Sequence, residues 1–187
     1  MVAMNDDKKY PSLKIQNIVL AGRIARSLDI EFIADNLDGC VLSREKFPGA
    51  VYHMKNPKTV ALLFESGKIV LTGITCMEDI QKGLDALTCQ LNRMGLRTLP
   101  VPDVSLTNMV CSYDTGSQIN LNKVMIMFNY ENVEYEPEQF PGLVYRLKEP
   151  KIVALIFSSG KIIFTGAKNI DAVKTAIDIV IKHLDSL

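Results

Sequence analysis

The sequence of 187 residues contains no tryptophan, only two histidines and only four cysteines. The cysteines show no CxxC spacing, and His53 and His183 stand far apart, so neither a zinc site nor a cofactor is expected. Twenty-one basic and twenty-one acidic residues cancel. The chain therefore lacks the global basic field of many nucleic-acid-binding proteins, and any such role must depend on local charge and shape.

Membrane and export signals are also missing. No apolar run reaches the roughly 20 residues that cross a bilayer, and the start MVAMNDDKKYP lacks the apolar core of a secretory signal. We expect an intracellular protein with reduced thiols.

Common catalytic motifs are absent as well. There is no GxSxG, GxxxxGK or HExxH, and the SGK triplets at Ser66 and Ser159 are better explained as turns between strands than as phosphate-binding loops. We therefore predict that the protein is not an enzyme.

The sequence does contain a long internal repeat. The segment from Phe47 to Gly73 returns ninety-three residues later as Phe140 to Gly166, with eighteen of twenty-seven positions identical. A period of this size matches a supersecondary domain and predicts two homologous repeats related by an approximate twofold axis. We place a short N-terminal extension at residues 1–10, the first repeat at 11–99 and the second at 100–187, with Pro100 and Pro102 marking the junction.

Periodicity predicts the same order of elements in each repeat: a strand, a short helix, four short strands and a longer helix. The short helices are expected near 28–36 and 121–128, with Asp29 and Asn120 at their starts, and the long ones at 77–94 and 170–184. Tight turns join the strands, so the sheet should be antiparallel with its helices on one face, an α+β fold.

The strands VALLFESGKIVLTG and VALIFSSGKIIFTG are apolar at both parities, although one face of such a sheet should be polar. If Ala61, Leu63, Ile69 and Leu71 face the helices, the other face is apolar too. This second face is interpreted as an interaction surface, with a further core layer or a dimer interface as alternatives.

Three repeated features favour a nucleic-acid groove. Asn17 and Asn108 match, and an amide suits minor-groove base edges, although both could be ordinary strand residues. Basic residues recur beside the apolar strands, although solvated turn lysines are the default explanation. Two phenylalanines per repeat could form wedges, although most such residues lie in a core. The competing hypothesis is a structural module that dimerises through the apolar face, which would bury those polar groups at a cost.

The chain resembles the TATA-box-binding proteins, general transcription factors that bind the DNA minor groove. The resemblance rests on the segments YEPEQFPGLVYR, ALIFSSGKIIFTGAK, KFPGAVYHM and ALLFESGKIVLTG. The FPG sequence in both repeats resembles the archaeal members of the family more than the eukaryotic ones. The resemblance implies a saddle-shaped, curved, ten-stranded antiparallel sheet with helices on the convex face. It also implies binding to TATA-like promoter DNA, kinking by paired phenylalanines, a known family property, and recruitment of transcription factor B and RNA polymerase. The implied location is the cytoplasm, at the nucleoid, for an archaeal protein and the nucleus for a eukaryotic one.

Site residues follow from the same resemblance. The implied wedges are Phe47 with Phe64 and Phe140 with Phe157. The remaining implied DNA-binding residues are Asn17, Val19, His53, Leu62, Lys68, Val70, Thr72, Asn108, Val110, Arg146, Leu155, Lys161, Ile163 and Thr165.

The two repeats differ in ways that predict unequal binding. His53 stands where the second repeat has Arg146, and a histidine carries little positive charge near pH 7. Ala21 stands where the second repeat has Ser112.

Four acids, Glu131, Glu134, Glu136 and Glu138, would repel phosphate and are expected to lie away from DNA. A solvated turn would explain them, but the resemblance implies that transcription factor B binds at Glu134, Glu136 and Glu138. A homodimer in the absence of DNA is a further possible assembly.

Overall fold

The computed structural model describes residues 9–128 and 132–186; Glu131 lies outside them. The chain packs into two compact units. The first-repeat unit is Asn17–Thr107, and the second-repeat unit comprises the described residues 9–16 and 108–186. Each unit contains one copy of the internal repeat.

The first-repeat unit is built from five strands and two α-helices among its described residues. They are β1 (Lys14–Arg23, which begins before the unit boundary), α1 (Ile30–Asn36), β2 (Cys40–Leu42), β3 (Ala50–Lys55), β4 (Lys58–Leu63), β5 (Lys68–Ile74) and α2 (Asp79–Arg93). The strand order is β2-β3-β4-β5-β1, and the neighbours are antiparallel.

The second-repeat unit has the same order of elements. They are β6 (Asp103–Asp114, which also begins before the boundary), α3 (Leu121–Met127), β7 (Val133–Glu134), β8 (Leu143–Arg146), β9 (Val153–Ile156), β10 (Lys161–Ala167) and α4 (Ile170–Leu184). Its antiparallel order, β6-β10-β9-β8-β7, repeats that of the first unit. The predicted element order is confirmed in both.

The short helices begin at the predicted caps. The Asp29 side chain accepts a hydrogen bond from the Phe32 N–H at 2.9 Å, and the Asn120 side chain accepts one from the Lys123 N–H at 3.2 Å. Each bond satisfies one of the free N–H groups of the first turn, which fixes where the helix starts.

The core of each unit lies between the long helix and one face of the sheet. Leu87 and Leu91 of α2 are fully buried, as are Val173 and Val180 of α4, so each long helix has the single apolar face that its spacing predicts. A Cβ on Gly83 would lie only 3.2 Å from Leu71 Cδ2, which shows how closely α2 approaches β5. None of the helices in the described chain is long and apolar enough to cross a membrane.

Candidate nucleic-acid interface

The sheet of the first-repeat unit has a second face that its helices do not bury. Along β4 and β5 the side chains alternate between fully buried and half-buried. Ala61, Leu63, Ile69 and Leu71 are buried, whereas Leu62, Val70 and Thr72 keep part of their surface exposed. The predicted assignment of the two faces is therefore confirmed, and the half-buried side is called the open face below.

Strand register aligns the open face into a row. Leu62 pairs with Val51 on one side and with Val70 on the other, and Val70 pairs with Ala21 of β1. Directly opposed residues of an antiparallel sheet project to the same face. The row therefore forms a continuous apolar strip across the unit.

The second-repeat unit has a matching row. Leu155 pairs with Val144 and with Ile163, and Ile163 pairs with Ser112 of β6. Val19 and Val110 are half-buried and lie two residues after the strand asparagines, on the same side of β1 and β6. The apolar residues predicted from the resemblance are thus brought together within each unit.

Sequence reasoning missed four members of the open face: Val51, Val60, Val144 and Val153. Val60 pairs with Thr72 and Val153 with Thr165, so each extends a row that contains a predicted residue. The register of β3 with β4 and of β8 with β9 would have identified these four residues. The turns at Pro57 and Pro150 alone did not fix that register.

Paired phenylalanines stand at the end of each open face. The Phe47 and Phe64 rings meet edge to face with centroids 5.5 Å apart, and those of Phe140 and Phe157 do so at 5.8 Å. Phe140 is 37% exposed, and the other three rings are partly exposed. These rings are outside the core, as a wedge requires.

The glycine of each FPG motif makes room for its ring pair. A Cβ on Gly142 would lie 2.8 Å from Phe140 Cε1 and 3.0 Å from Phe157 Cε1. A Cβ on Gly49 would lie 2.9 Å from Phe47 Cε1 and 2.7 Å from a backbone oxygen. Any larger residue would displace the rings, so glycine is needed for this geometry.

Asn17 lies beside a β-bulge in β5, where β5 pairs with β1. The register shifts between Ile18 and Leu20, and Gly73 takes a positive φ of 90° there, a conformation that glycine adopts readily. The Asn17 Oδ1 accepts a hydrogen bond from the Gly73 N–H at 2.8 Å, and the Thr72 hydroxyl lies 3.1 Å from Nδ2.

Asn108 repeats this arrangement in the second unit. β10 has the same bulge, Gly166 has a φ of 98°, and its N–H donates to Asn108 Oδ1 at 2.8 Å. Because a backbone N–H can only donate, it fixes which end of each amide is the oxygen. The amide nitrogen is then the donor end of each side chain, and in Asn17 one of its N–H groups can donate to the Thr72 hydroxyl.

Basic residues border the open faces. Lys68 and Lys161 are exposed and begin β5 and β10, where their carbonyls accept hydrogen bonds from the N–H groups of Phe64 and Phe157. The hairpin therefore fixes each lysine directly opposite a wedge phenylalanine. Lys55, in contrast, forms an ion pair with Asp38 at 2.8 Å.

His53 and Arg146 occupy matching positions, as predicted. His53 pairs with Val60 and Arg146 with Val153, and both side chains are exposed. The Ser112 hydroxyl, absent from Ala21, accepts a hydrogen bond from Gln16 Nε2 at 2.7 Å and is buried. At these two pairs of matching positions, the difference that remains exposed is thus the guanidinium of Arg146.

The acidic segment lies partly where it was not expected. Glu134 pairs with Val144, so it lies on the open face, and its carboxylate accepts hydrogen bonds from Arg146 Nε and a terminal guanidinium nitrogen at 3.3 Å each. The expectation that these acids lie away from this face is wrong for Glu134. Glu136 and Glu138 are exposed and form no ion pair within the described chain.

No cluster of three or more potential metal ligands occurs in the part of the chain that the structure describes. Cys111 is fully buried, and burial raises the pKa of its thiol to about 11. A buried thiol of this kind behaves as a small apolar core residue.

Comparison with known proteins agrees with this architecture. The family model described as transcription factor TFIID (or TATA-binding protein, TBP) matches residues 12–94 and again 103–187. The chain is 43% identical over 176 residues to TATA-box-binding protein 2 of Haloferax volcanii, which covers 94% of this chain and 95% of that protein. It is 40% identical over 176 residues to TATA-box-binding protein 2 of Methanosarcina mazei, covering 94% and 96%.

A solved structure shows the same fold. Methanococcus jannaschii TBP superposes with a TM-score of 0.86 at 37% identity, covering 95% of this chain and 100% of that one. The predicted α+β class, with two repeats and helices on one side of antiparallel strands, is confirmed. The two family-model matches and the archaeal relatives together show that this chain belongs to the TATA-binding protein family, in its archaeal type.

Proposed function

We propose that this protein is a general transcription initiation factor that binds the minor groove of TATA-like, A/T-rich promoter DNA and kinks it with its two phenylalanine pairs. The observation that carries the proposal is the open face, repeated in both units, with exposed ring pairs at its ends and an oriented asparagine on it. Since the relatives are archaeal, the proposed place of action is promoter DNA in the cytoplasm.

The apolar rows suit a ligand that is itself apolar and shallow. A widened minor groove presents sugar and base edges, against which Leu62, Val70, Leu155 and Ile163 can pack. Unstacking a base step costs a few kcal/mol, and burial returns about 25 cal/mol per Å² of apolar surface. At that rate about 400 Å² of buried apolar surface would offset about 10 kcal/mol, the order of two such steps, and the wedges would fill the gaps that unstacking opens.

The asparagines give a reason for an A/T preference. In the minor groove an A·T pair presents only acceptors, whereas a G·C pair adds the guanine N2 amino donor. Because the Oδ1 atoms of Asn17 and Asn108 are held by Gly73 and Gly166, both amides offer donors. Donors match A·T edges and oppose the guanine amino group. Easily unstacked TA steps add a mechanical preference of the same kind.

The basic border supplies the backbone contacts. Lys68 and Lys161 lie opposite the wedge phenylalanines and would meet phosphates there, whereas Arg146, at the other end of the β8–β9 hairpin, would meet a phosphate away from the wedge. Such contacts position a protein without reading sequence. Three contacts give a modest salt dependence compared with proteins that neutralise many phosphates. Arg146 must first exchange Glu134 for a phosphate, which weakens its contribution.

The proposal is tested by fluorescence transfer between the ends of two labelled duplexes, one with a TATA-like element and one scrambled, at two salt concentrations. A large bend on the A/T-rich duplex alone supports the proposal. Absence of binding to either duplex by folded protein would contradict it. A concentration-dependent dimer that blocks the open face would then favour the competing role in self-association.

We further propose that Glu136 and Glu138 receive a basic surface of transcription factor B, which then recruits RNA polymerase. Both acids are exposed and unpaired within the described chain, whereas Glu134 is held by Arg146 and plays a smaller part. Charge reversal by Glu138→Lys should weaken the ternary complex on promoter DNA but leave the binary complex intact. Glu45→Lys, at the matching position of the first repeat, is the control; an equal loss in both variants would refute a partner site specific to the second repeat.

A further inference from the structure

Arg44 links three elements around the first wedge. It lies in the loop between β2 and β3 that also carries Phe47, and one of its terminal guanidinium nitrogens reaches two carboxylates. Glu65 Oε1 lies 2.8 Å away and Glu31 Oε1 lies 2.9 Å away. Glu31 belongs to α1, and Glu65 directly follows Phe64.

One of these ion pairs connects the same two loops as the contact between the rings. Phe47 meets Phe64 across the same two loops that Arg44 and Glu65 connect. The Phe47 loop also has its own turn, in which the N–H groups of Lys46 and Phe47 donate to the Ser43 carbonyl at 3.0 and 2.9 Å. Arg44 thus ties an already formed turn to the loop of the partner ring.

The second repeat holds the equivalent loop differently. Gln139 and Phe140 donate to the Glu136 carbonyl at 2.9 Å each, so the turn is the same, but position 137 is proline where the first repeat has Arg44. Proline fixes φ near −65° and so limits the loop without any ion pair. Ser158 stands in place of Glu65, so the two carboxylate contacts have no counterpart there.

We propose that Arg44 is a positioning residue that holds the Phe47–Phe64 wedge in its insertion geometry. This inference rests on the proposed function, because it assigns a role within DNA kinking. A wedge that is already placed loses less conformational freedom when it enters a base step. The first repeat therefore orders its wedge by charge and the second by a proline.

A direct attraction of Arg44 to phosphate predicts the opposite result in one experiment. Glu31→Gln combined with Glu65→Gln frees Arg44 and removes two negative charges. If Arg44 acts on phosphate, this variant should bind a TATA-like duplex more tightly. If Arg44 holds the wedge, the variant should bind about two- to thirtyfold more weakly, since it loses two exposed pairs that contribute about 0.2–1 kcal/mol each.

Asp38→Asn is the matched control for that variant. It removes one carboxylate from an equally short exposed pair with Lys55, in the same unit but away from the Phe47 loop. Binding within about twofold of wild type is expected for it. Arg44→Pro, which installs the second repeat's residue, should also bind within about twofold of wild type, whereas Arg44→Ala should bind more weakly.

A double-mutant cycle identifies the route of the effect, with affinity and end-to-end fluorescence transfer as readouts and thermal unfolding as the check on folding. The loss caused by Arg44→Ala should vanish in a Phe47→Ala background and persist in a Phe140→Ala background. Persistence in both backgrounds, or tighter binding by the Glu31→Gln, Glu65→Gln variant, would overturn the proposal. If wild-type protein fails to bend the duplex, the proposed function itself fails instead.

Discussion

Phe157 and Phe164 lie seven residues apart in one β-hairpin, yet alanine substitutions at the two positions should have opposite effects. Phe164 faces α4 and is fully buried, whereas Phe157 is partly exposed on the open face and meets Phe140 at 5.8 Å. Phe164→Ala should therefore strongly lower the free energy of unfolding. Phe157→Ala should leave the fold intact but impair DNA bending.

The magnitudes follow from burial. Removing a fully buried phenylalanine costs about 3–5 kcal/mol of stability. Phe157→Ala removes mainly one edge-to-face ring contact, which contributes about 0.5–1.5 kcal/mol of stability, together with part of the apolar burial of the ring. We expect Phe157→Ala to lose about 1–2 kcal/mol of unfolding free energy. On DNA the same change removes one of four wedge rings and should cost at least tenfold in affinity, about 1.4 kcal/mol.

Two assays check this pair of variants. Denaturant unfolding measures stability, and fluorescence transfer across an end-labelled TATA-like duplex measures bending at saturating protein. The reasoning is refuted if Phe157→Ala destabilises the fold as much as Phe164→Ala while the bend is preserved. That result would make Phe157 a core residue and not a wedge.

Three further outcomes are expected. Gly142→Ala would place a Cβ 2.8 Å from Phe140 Cε1, so it should reduce DNA bending and lower DNA affinity about five- to thirtyfold, as overpacking by about 1–2 kcal/mol implies. In the control Gly95→Ala a Cβ meets nothing within 4 Å but φ is +85°, so stability should fall while the bend stays unchanged. Equal bending by both variants would contradict the ring clash. Asn108→Asp keeps an acceptor for the Gly166 N–H but loses the amide donor, so stability should hold while affinity for A/T-rich duplex falls at least tenfold, and unchanged affinity would exclude Asn108 from the interface. Burial raises the pKa of the Cys111 thiol from 9.0 to about 11, so its neutral form contributes stability below about pH 9 that is lost as the pH rises toward 11. Across that window the unfolding free energy of Cys111→Ala should depend less on pH than that of wild type, by at most about 3 kcal/mol. Identical pH profiles in thermal unfolding would refute this role of Cys111.

The pairing of Glu134 with Arg146 reduces the difference in DNA binding that the sequences of the two repeats suggested. Matching residues predicted an arginine on one side and a histidine on the other, and hence a stronger second repeat. The structure adds a carboxylate 3.3 Å from that arginine, on the same face. The advantage of the second repeat is therefore smaller than the residue types imply.

The sequence by itself determined the order of helices and strands, the internal repeat and the starts of the short helices, because these depend on local patterns. Short apolar strand segments bounded by turn residues, three-to-four-residue helical spacing and the caps Asp29 and Asn120 act over a few residues. The eighteen identical positions made the repeat visible without any structure. The resemblance, carried by the FPG and SGK segments, supplied the candidate residues of the open face.

Only the tertiary structure decided which side chains meet across strands. Register set Val51 beside Leu62 and Glu134 beside Val144, and hairpin register depends on packing as well as on turn residues. Nothing local to Asn17 reveals that its oxygen is held by Gly73, fifty-six residues away, or that Arg44 reaches both Glu31 and Glu65. Such contacts join distant segments, so their geometry exists only once the chain has folded.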